Sequence, residues 1–176
     1  MPADAPPAHL DRVSDPFRFD YDAPAIRCGR GSASDLSDEL AAHDFSRALV
    51  VTGETVGETP AVMDPVREGL GGRLATVFAE TTPEKRLATA GDALAAFREF
   101  GADVIVAVGG GSSLDVAKQT STLVGRARGG VDVEGVVAEA SRELADHGTL
   151  TVPDEGLAPI VAVPTTLAGA DVSQVA

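Results

Sequence analysis

Cysteine, tryptophan and long apolar runs are nearly absent from this sequence. Cys28 is the only cysteine among 176 residues, so an intrachain disulfide is impossible and nothing indicates an oxidising compartment. No run approaches the ~18 apolar residues of a membrane span. The first residues also have neither the basic nor the apolar region of a signal peptide. These absences predict a cytoplasmic protein without a membrane partner.

Positive charge is scarce as well. Fourteen Lys and Arg residues face 27 Asp and Glu residues, which gives a net charge of −13, and only Lys85 and Lys118 are lysines. Such a surface repels the phosphates of nucleic acids and of anionic membranes, so we expect neither as a partner. Few lysines, many Asp and Ala and a low isoelectric point are typical of halophilic proteins. An ordinary acidic protein of a mesophile is the alternative.

Aromatic residues are few, with six Phe, one Tyr and no Trp, so the core must consist of Val, Ala and Leu. The hydrophobic fraction of 44% excludes wholesale disorder. The chain has the length of one ordinary domain. Residues 1–16, rich in Pro, Ala and Asp, are predicted to be a flexible leader, and residues 17–176 to form the domain.

Apolar runs of strand length alternate with helical patterns along the chain. Strands are predicted at 48–52, 73–78, 104–108 and 159–163, after an edge strand or hairpin within 17–30. Helices are predicted at 32–42, capped by Ser32 or Ser34, at 59–70, from Thr82-Pro83-Glu84 to Gly101, from Ser112 to about 126, and at 133–144. In the third helix an apolar stripe is predicted to face the sheet: Leu87, Ala90, Leu94 and Phe97. This alternation predicts an α/β fold with a doubly wound, mostly parallel sheet.

The stretch VIVAVGGGSSLDVAK, residues 104–118, carries the strongest functional signal. Its first part predicts a strand buried on both faces. Gly109, Gly110 and Gly111 then allow a sharp turn and a close approach of the backbone to a ligand. Ser112, with Asp115 three residues later, predicts a capping box that opens the next helix. A strand, a glycine turn and a helix N-terminus together predict an anion site, most often occupied by phosphate.

Two segments resemble the iron-containing (group III) alcohol dehydrogenase family. GGGSSLDVAK is similar to the family motif GGGSxxDxAK, and VPTTLAGADVS is similar to the PTT segment that follows a later strand. The resemblance implies a Rossmann-like dinucleotide-binding domain for NAD or NADP. It implies that Gly110, Gly111 and Ser112 cradle the pyrophosphate and that Thr165 and Thr166 hydrogen-bond the cofactor.

The PTT segment bears on the substrate. It is one residue shorter than the common alcohol dehydrogenase form PTTAGTGSEVT and is similar to the form PTTxAGSExT of maleylacetate reductases. Thr82-Pro83 also looks like a dipeptide of those reductases. Ala170 and Asp171 depart from both patterns, so an alcohol or carbonyl compound and an enoate-type dicarboxylate both stay open as substrates.

Gly53 bears on the choice between NAD and NADP. Many members of the family have an Asp there that binds the adenosine ribose and repels a 2′-phosphate. With Gly53 this repulsion is absent, so NADP is expected to be tolerated or preferred. Glu54 is able to restore selection for NAD, and no Arg or Lys is nearby in the sequence to bind the phosphate. A turn glycine without influence on selectivity is the alternative.

Asp115 and Lys118 lie three residues apart on one helical face. The family pattern matches both residues and places the acidic one towards the cleft. The alternative interpretation is that these two residues form only a helix cap and a solvated ion pair.

The resemblance also implies a metal, iron or zinc, that polarises the substrate oxygen. In the family its ligands are one Asp and three His beyond the PTT segment, mostly in a helical domain. His9, His43 and His147 lack the spacing of a helical metal pair and are predicted to be surface residues. No catalytic or metal-binding residue is therefore assigned. The helical metal-binding domain is expected to be absent from this chain and to be supplied as a C-terminal domain or partner chain.

The resulting hypothesis is that this chain is the cofactor-binding part of an NAD(P)-dependent, metal-requiring oxidoreductase that acts on a small molecule. A homo-oligomer is possible. The alternatives are a maleylacetate reductase-like enzyme, a non-catalytic nucleotide-binding module or half of a split protein, and a site for another phosphate ligand.

Overall fold

The computed structural model describes residues 17–20 and 25–166, with side chains from residue 25 onwards. The strands are β1 (Phe17–Asp20), β2 (Ala25–Cys28), β3 (Ala48–Val51), β4 (Leu74–Phe78), β5 (Val104–Gly109) and β6 (Ile160–Pro164). The helices are α1 (Leu36–Ala42), α2 (Glu54–Gly57), α3 (Pro60–Leu70), α4 (Leu87–Glu99), α5 (Gly111–Arg126) and α6 (Val133–His147). Short 3-10 turns lie at Ser32–Asp35 and Gly71–Arg73. The predicted leader, residues 1–16, lies outside the described residues.

Four parallel strands form the central sheet in the order β4-β3-β5-β6, and β1 and β2 form a separate antiparallel hairpin. β5 pairs with β3 on one side and with β6 on the other. All residues of β3 and β5 are buried, because helices cover both faces of the sheet. The predicted hairpin and the predicted α/β fold with a parallel sheet are confirmed.

Alternate residues of the central strands point into two apolar clusters, one on each face. Leu49 and Ile105 lie in the cluster that contains the buried residues of α4, α5 and α6. Val50 and Val106 lie in the cluster that contains the buried residues of α1 and α3. Since a strand directs successive side chains to opposite faces, one valine-rich strand serves both cores. The sheet is therefore doubly wound.

The apolar stripe of α4 is confirmed, but the predicted beginning of this helix is wrong. Leu87, Ala90, Leu94 and Phe97 are buried in the first cluster. The helix begins at Leu87 and not at Thr82-Pro83-Glu84. Residues 82–85 instead form a turn in which Lys85 N–H donates to the Thr82 carbonyl at 3.1 Å. A right-handed helix requires a negative φ, so the φ of 50° at Lys85 prevents a helix from running through this residue.

Two other helices differ from the prediction at their ends. A 3-10 turn, Ser32–Asp35, precedes α1. No side chain caps the N-terminus of this turn or of α1, so the caps predicted at Ser32 or Ser34 are wrong. α6 continues past residue 144 to His147, which is exposed at the helix end and not in a loop. Gly148, with a φ of 71°, ends this helix because it adopts the left-handed conformation at low cost.

A cluster of Arg126, Glu143 and Thr151 ties α6 and the following loop to α5. Arg126 Nη1 lies 2.6 Å from Glu143 Oε2. The backbone N–H of Thr151 donates to Glu143 Oε1 at 2.7 Å. The Arg126 guanidinium and then the Thr151 hydroxyl and N–H lower the pKa of Glu143 from 4.5 to about 2. The folded state therefore favours the ionised carboxylate.

This shift predicts a pH dependence of stability. Because the pKa of Glu143 is lowered on folding from 4.5 to about 2, its contribution is complete above pH 4.5 and is lost as the pH falls towards 2. We expect Glu143→Gln to lower the urea midpoint at pH 6 and to lose this difference near pH 2. Glu139→Gln, which removes a carboxylate one turn earlier in α6, is the control. A constant difference between wild type and Glu143→Gln across this pH range would contradict the prediction.

None of the helices in the described part of the chain combines the length and the apolar character that crossing a bilayer requires.

Candidate functional site

The carboxyl ends of β3, β5 and β6 bring the predicted site residues to one edge of the sheet. Gly53 follows β3 and begins the short helix α2. Gly109 pairs with Pro164 at the end of β6. The backbone N–H of Thr165 then donates to the Gly109 carbonyl at 2.9 Å. Three segments that are far apart in the sequence therefore meet where ligands bind in open α/β sheets.

The glycine turn after β5 leaves little room for side chains. Gly109 has a φ of 142°, and a Cβ added there would lie 2.6 Å from Ser113 Oγ. A Cβ on Gly110 would lie 3.3 Å from Thr166 Oγ1. Thr165 and Thr166 are themselves exposed. The backbone of Gly110 is thus open to a ligand in a cradle that a Cβ would partly fill.

The predicted capping box is wrong. α5 begins at Gly111, with Gly110 as its N-cap, so Ser112 is the second helical residue and no side chain caps the helix. Asp115 does not cap the helix; its Oδ2 accepts a hydrogen bond from Lys85 Nζ at 2.5 Å. The first N–H groups of a helix have no partner within it, and among the described residues no capping side chain serves those of α5. This arrangement suits an anion at Gly110, Gly111 and Ser112.

The loop after β4 packs against this edge, which sequence analysis missed. Thr81 Oγ1 lies 3.1 Å from Ser113 Oγ, and both residues are buried. Thr81 N–H donates to the Thr52 carbonyl at 3.1 Å. A Cβ added to Gly53 would lie 3.2 Å from the Thr81 carbonyl oxygen. Gly53 therefore allows close packing of this loop, whose only sequence signal was the Thr82-Pro83 dipeptide.

Asp115 is a buried group and not a solvated one. The residue is 7% exposed, while the side chain of Lys85 is 42% exposed. A salt bridge thus joins the loop after β4 to α5 across 30 positions of sequence. The predicted alternative, a helix cap and a solvated ion pair, is wrong for Asp115, which is buried and does not cap α5. The role of Asp115 in cofactor binding stays a prediction.

The histidines do not form a metal site within the described residues. His43 and His147 are exposed, as predicted, and His9 lies outside the described residues. Within residues 25–166, no group of three or more His, Cys, Asp or Glu side chains is arranged to hold a metal ion. Ala170 and Asp171, which bear on the substrate class, also lie outside the described residues.

The iron-containing alcohol dehydrogenase family matches residues 23–176 of the sequence. The chain belongs to this family. The resemblance seen in the glycine turn and in the PTT segment is thereby confirmed. The match begins just before β2 and includes both motifs.

Two proteins of known function are similar to the chain along part of their length. A 4-hydroxybutyrate dehydrogenase of Cupriavidus necator is 32% identical over 148 residues, which is 84% of this chain and 36% of that protein. A maleylacetate reductase of Sphingobium indicum is 36% identical over 108 residues, which is 60% of this chain and 29% of that protein. The chain spans about a third of the length of these relatives.

A solved structure supports the fold of this family member. Sulfoacetaldehyde reductase from Bifidobacterium kashiwanohense, in complex with NAD+, aligns with a TM-score of 0.63. The alignment covers 82% of this chain and 35% of that one, with 24% sequence identity. At this identity the likeness concerns the fold alone, and it confirms the predicted fold class.

Proposed function

We propose that the chain binds NAD or NADP and is the cofactor-binding part of an oxidoreductase. The reaction is reversible hydride transfer between the nicotinamide and an alcohol or carbonyl carbon, which is the chemistry that the cofactor supplies when bound. Membership of the iron-containing alcohol dehydrogenase family supports this class of reaction. The observation that carries the proposal is the uncapped N-terminus of α5 behind a buried strand and a glycine turn.

In this proposal the residues of the sheet edge bind and orient the dinucleotide. Backbone N–H groups at Gly111 and Ser112 donate to the pyrophosphate, which lies close to the backbone because Gly110 has no Cβ. Thr165 and Thr166 hydrogen-bond the cofactor from the end of β6. Gly53 lies beside the adenosine ribose, where the absent carboxylate leaves space for a 2′-phosphate.

The metal of the family, iron or zinc, is assigned to no described residue. Within residues 25–166, no three or more His, Cys, Asp or Glu side chains come together in a way that could hold this metal. We further propose that a C-terminal domain or partner chain binds this metal and that the substrate is a small molecule. The proposal includes a homo-oligomer, a cytoplasmic location and halophilic adaptation.

Titration with reduced cofactor tests the proposal. The sequence contains no Trp, so the nicotinamide fluorescence of NADH and NADPH is measured with little background from the protein. We expect saturable binding with a Kd on the order of 1 μM to 1 mM, the range common for enzyme substrates. NAD+ is expected to compete with the reduced cofactor for binding, and a sugar phosphate is expected not to compete. A folded chain that binds sugar phosphates but no dinucleotide would overturn the proposal in favour of another phosphate ligand.

Maleylacetate reduction is the second candidate activity. Similarity to a maleylacetate reductase at 36% identity supports it, as does the short PTT segment. Assays with the complete, metal-loaded enzyme distinguish the candidates: oxidation of NADPH with maleylacetate but not with aldehydes favours the reductase. Binding of cofactor without any turnover by such an enzyme would favour a non-catalytic module.

A further inference from the structure

Lys85 has an unusual backbone conformation at the rim of the candidate site. Its φ of 50° lies in the left-handed region, which costs a non-glycine residue conformational energy. Such strain persists where surrounding contacts hold it, often at ligand sites. The turn is closed by the hydrogen bond from Lys85 N–H to the Thr82 carbonyl. This conformation directs the Lys85 side chain back towards α5.

The Lys85 ammonium is held by Asp115 and is still accessible. Nζ lies 2.5 Å from Oδ2 of Asp115, whose side chain is 10% exposed, whereas the side chain of Lys85 is 42% exposed. An ammonium donates three hydrogen bonds, so this contact leaves donors for a second anion. Because Asp115 already fixes the ammonium, binding a further group costs little additional side-chain order.

The loop that carries Lys85 also contacts the position that faces the adenosine ribose in the proposed complex. The Thr81 carbonyl lies 3.2 Å from where a Cβ of Gly53 would be. Four residues later the same loop presents Lys85, which lies 32 positions from Gly53 in the sequence. The loop that contacts Gly53 through the Thr81 carbonyl therefore also carries a lysine, whereas the sequence around Gly53 has no Lys or Arg.

The negative charge of the chain makes a cation at this site important for binding a phosphate. The chain carries a net charge of −13 and has only two lysines, so a cofactor with an extra phosphate approaches an unfavourable field. Glu54, next to Gly53, is exposed and adds to that repulsion. Because Asp115 neutralises Lys85 at a distance, Lys85 acts on a phosphate through direct charge-assisted hydrogen bonds from its remaining N–H donors.

We infer that Lys85 is a specificity-determining residue that binds the 2′-phosphate of NADP while it is held by Asp115. The inference rests on the proposed function, because it requires a dinucleotide on this edge of the sheet. It makes NADP the preferred cofactor of a chain that lacks an acidic residue at position 53.

The test is the Kd of NADPH and of NADH for the full 176-residue chain, measured by nicotinamide fluorescence. We expect Lys85→Gln to weaken NADPH binding at least about tenfold, as loss of a charge-assisted hydrogen bond does, and to change NADH binding less than about twofold. Lys85→Arg retains the charge and is expected to retain the preference for NADPH. Arg67→Gln removes one positive charge from α3 and is the control for net charge.

Lys85→Gly provides a second variant that removes the ammonium and relieves the strained φ, which offsets part of the cost of leaving Asp115 unpaired; circular dichroism checks that it is folded. It is expected to lose the preference for NADPH as Lys85→Gln does. Equal weakening of both cofactors, or no change in either, would overturn the inference while leaving the proposed function intact. A folded wild-type chain that binds neither cofactor would overturn both.

Discussion

Gly110→Val is expected to abolish binding of NADH and NADPH while the chain remains folded. The φ of −88° and ψ of −165° at Gly110 are extended values that valine adopts without strain. The added Cβ would lie 3.3 Å from Thr166 Oγ1, and Thr166 is exposed and able to move. Valine therefore costs little stability but fills the cradle in front of the α5 N-terminus. Loss of two charge-assisted backbone hydrogen bonds predicts about 100-fold weaker binding or more.

Gly110 is a sharper test than Gly109. At Gly109 the φ of 142° and the 2.6 Å approach to Ser113 Oγ would make any side chain damaging to the fold itself. Gly72→Val, which places the same side chain where a Cβ meets nothing within 4 Å, is the matched control and should bind as wild type does. Cofactor titration and circular dichroism check both variants. Wild-type affinity in folded Gly110→Val would refute the proposed phosphate position.

Gly69→Ala is expected to cause the largest loss of stability of any single methyl group added to α3. A Cβ on Gly69 would lie 1.9 Å from the carbonyl oxygen of Ala33 and 3.0 Å from Cα of Ser34. Both are backbone atoms, so relief of this clash requires α3 to move away from the 3-10 turn at Ser32–Asp35. Overpacking of this kind costs about 3 kcal/mol, which outweighs the ~1 kcal/mol that alanine gains over glycine in a helix.

Urea unfolding of Gly69→Ala measures this effect. Gly72→Ala is the matched control, since it adds the same methyl group a few residues later in open space. Its free energy of unfolding should stay within about 0.5 kcal/mol of wild type, as is usual for exposed sites. An increase in the stability of Gly69→Ala would show that helix propensity and not packing against Ala33 dominates at this position.

Much of the fold was predictable because its signals are local. A strand buried on both faces is apolar throughout, and β3 and β5 show this in their sequences. Pro60 at the first position of α3 and Gly71 just after its end mark that helix. The turn before α4 was not predictable, because Pro83 suits both a helix start and a turn. The left-handed backbone of Lys85 decides between them.

The candidate site was predictable in part for the same reason. Each of its three segments follows an apolar strand directly, so Gly53, the glycine turn and Thr165 were placed at the sheet edge by strand order along the chain. The loop after β4 carried no comparable pattern. Its contacts with Ser113 and Asp115 join residues about 30 positions apart, and no spacing rule in one sequence relates such pairs.

The sequence by itself determined the family, the parallel sheet and the glycine turn, because strand burial, turn geometry and motif spacing depend on neighbouring residues. Tertiary structure alone decided which charges meet. Asp115 looked like a cap for its own helix, but burial requires a partner for its carboxylate, and the folded chain provides Lys85 from another loop. The same packing brings the loop that carries Lys85 against Gly53 through the Thr81 carbonyl.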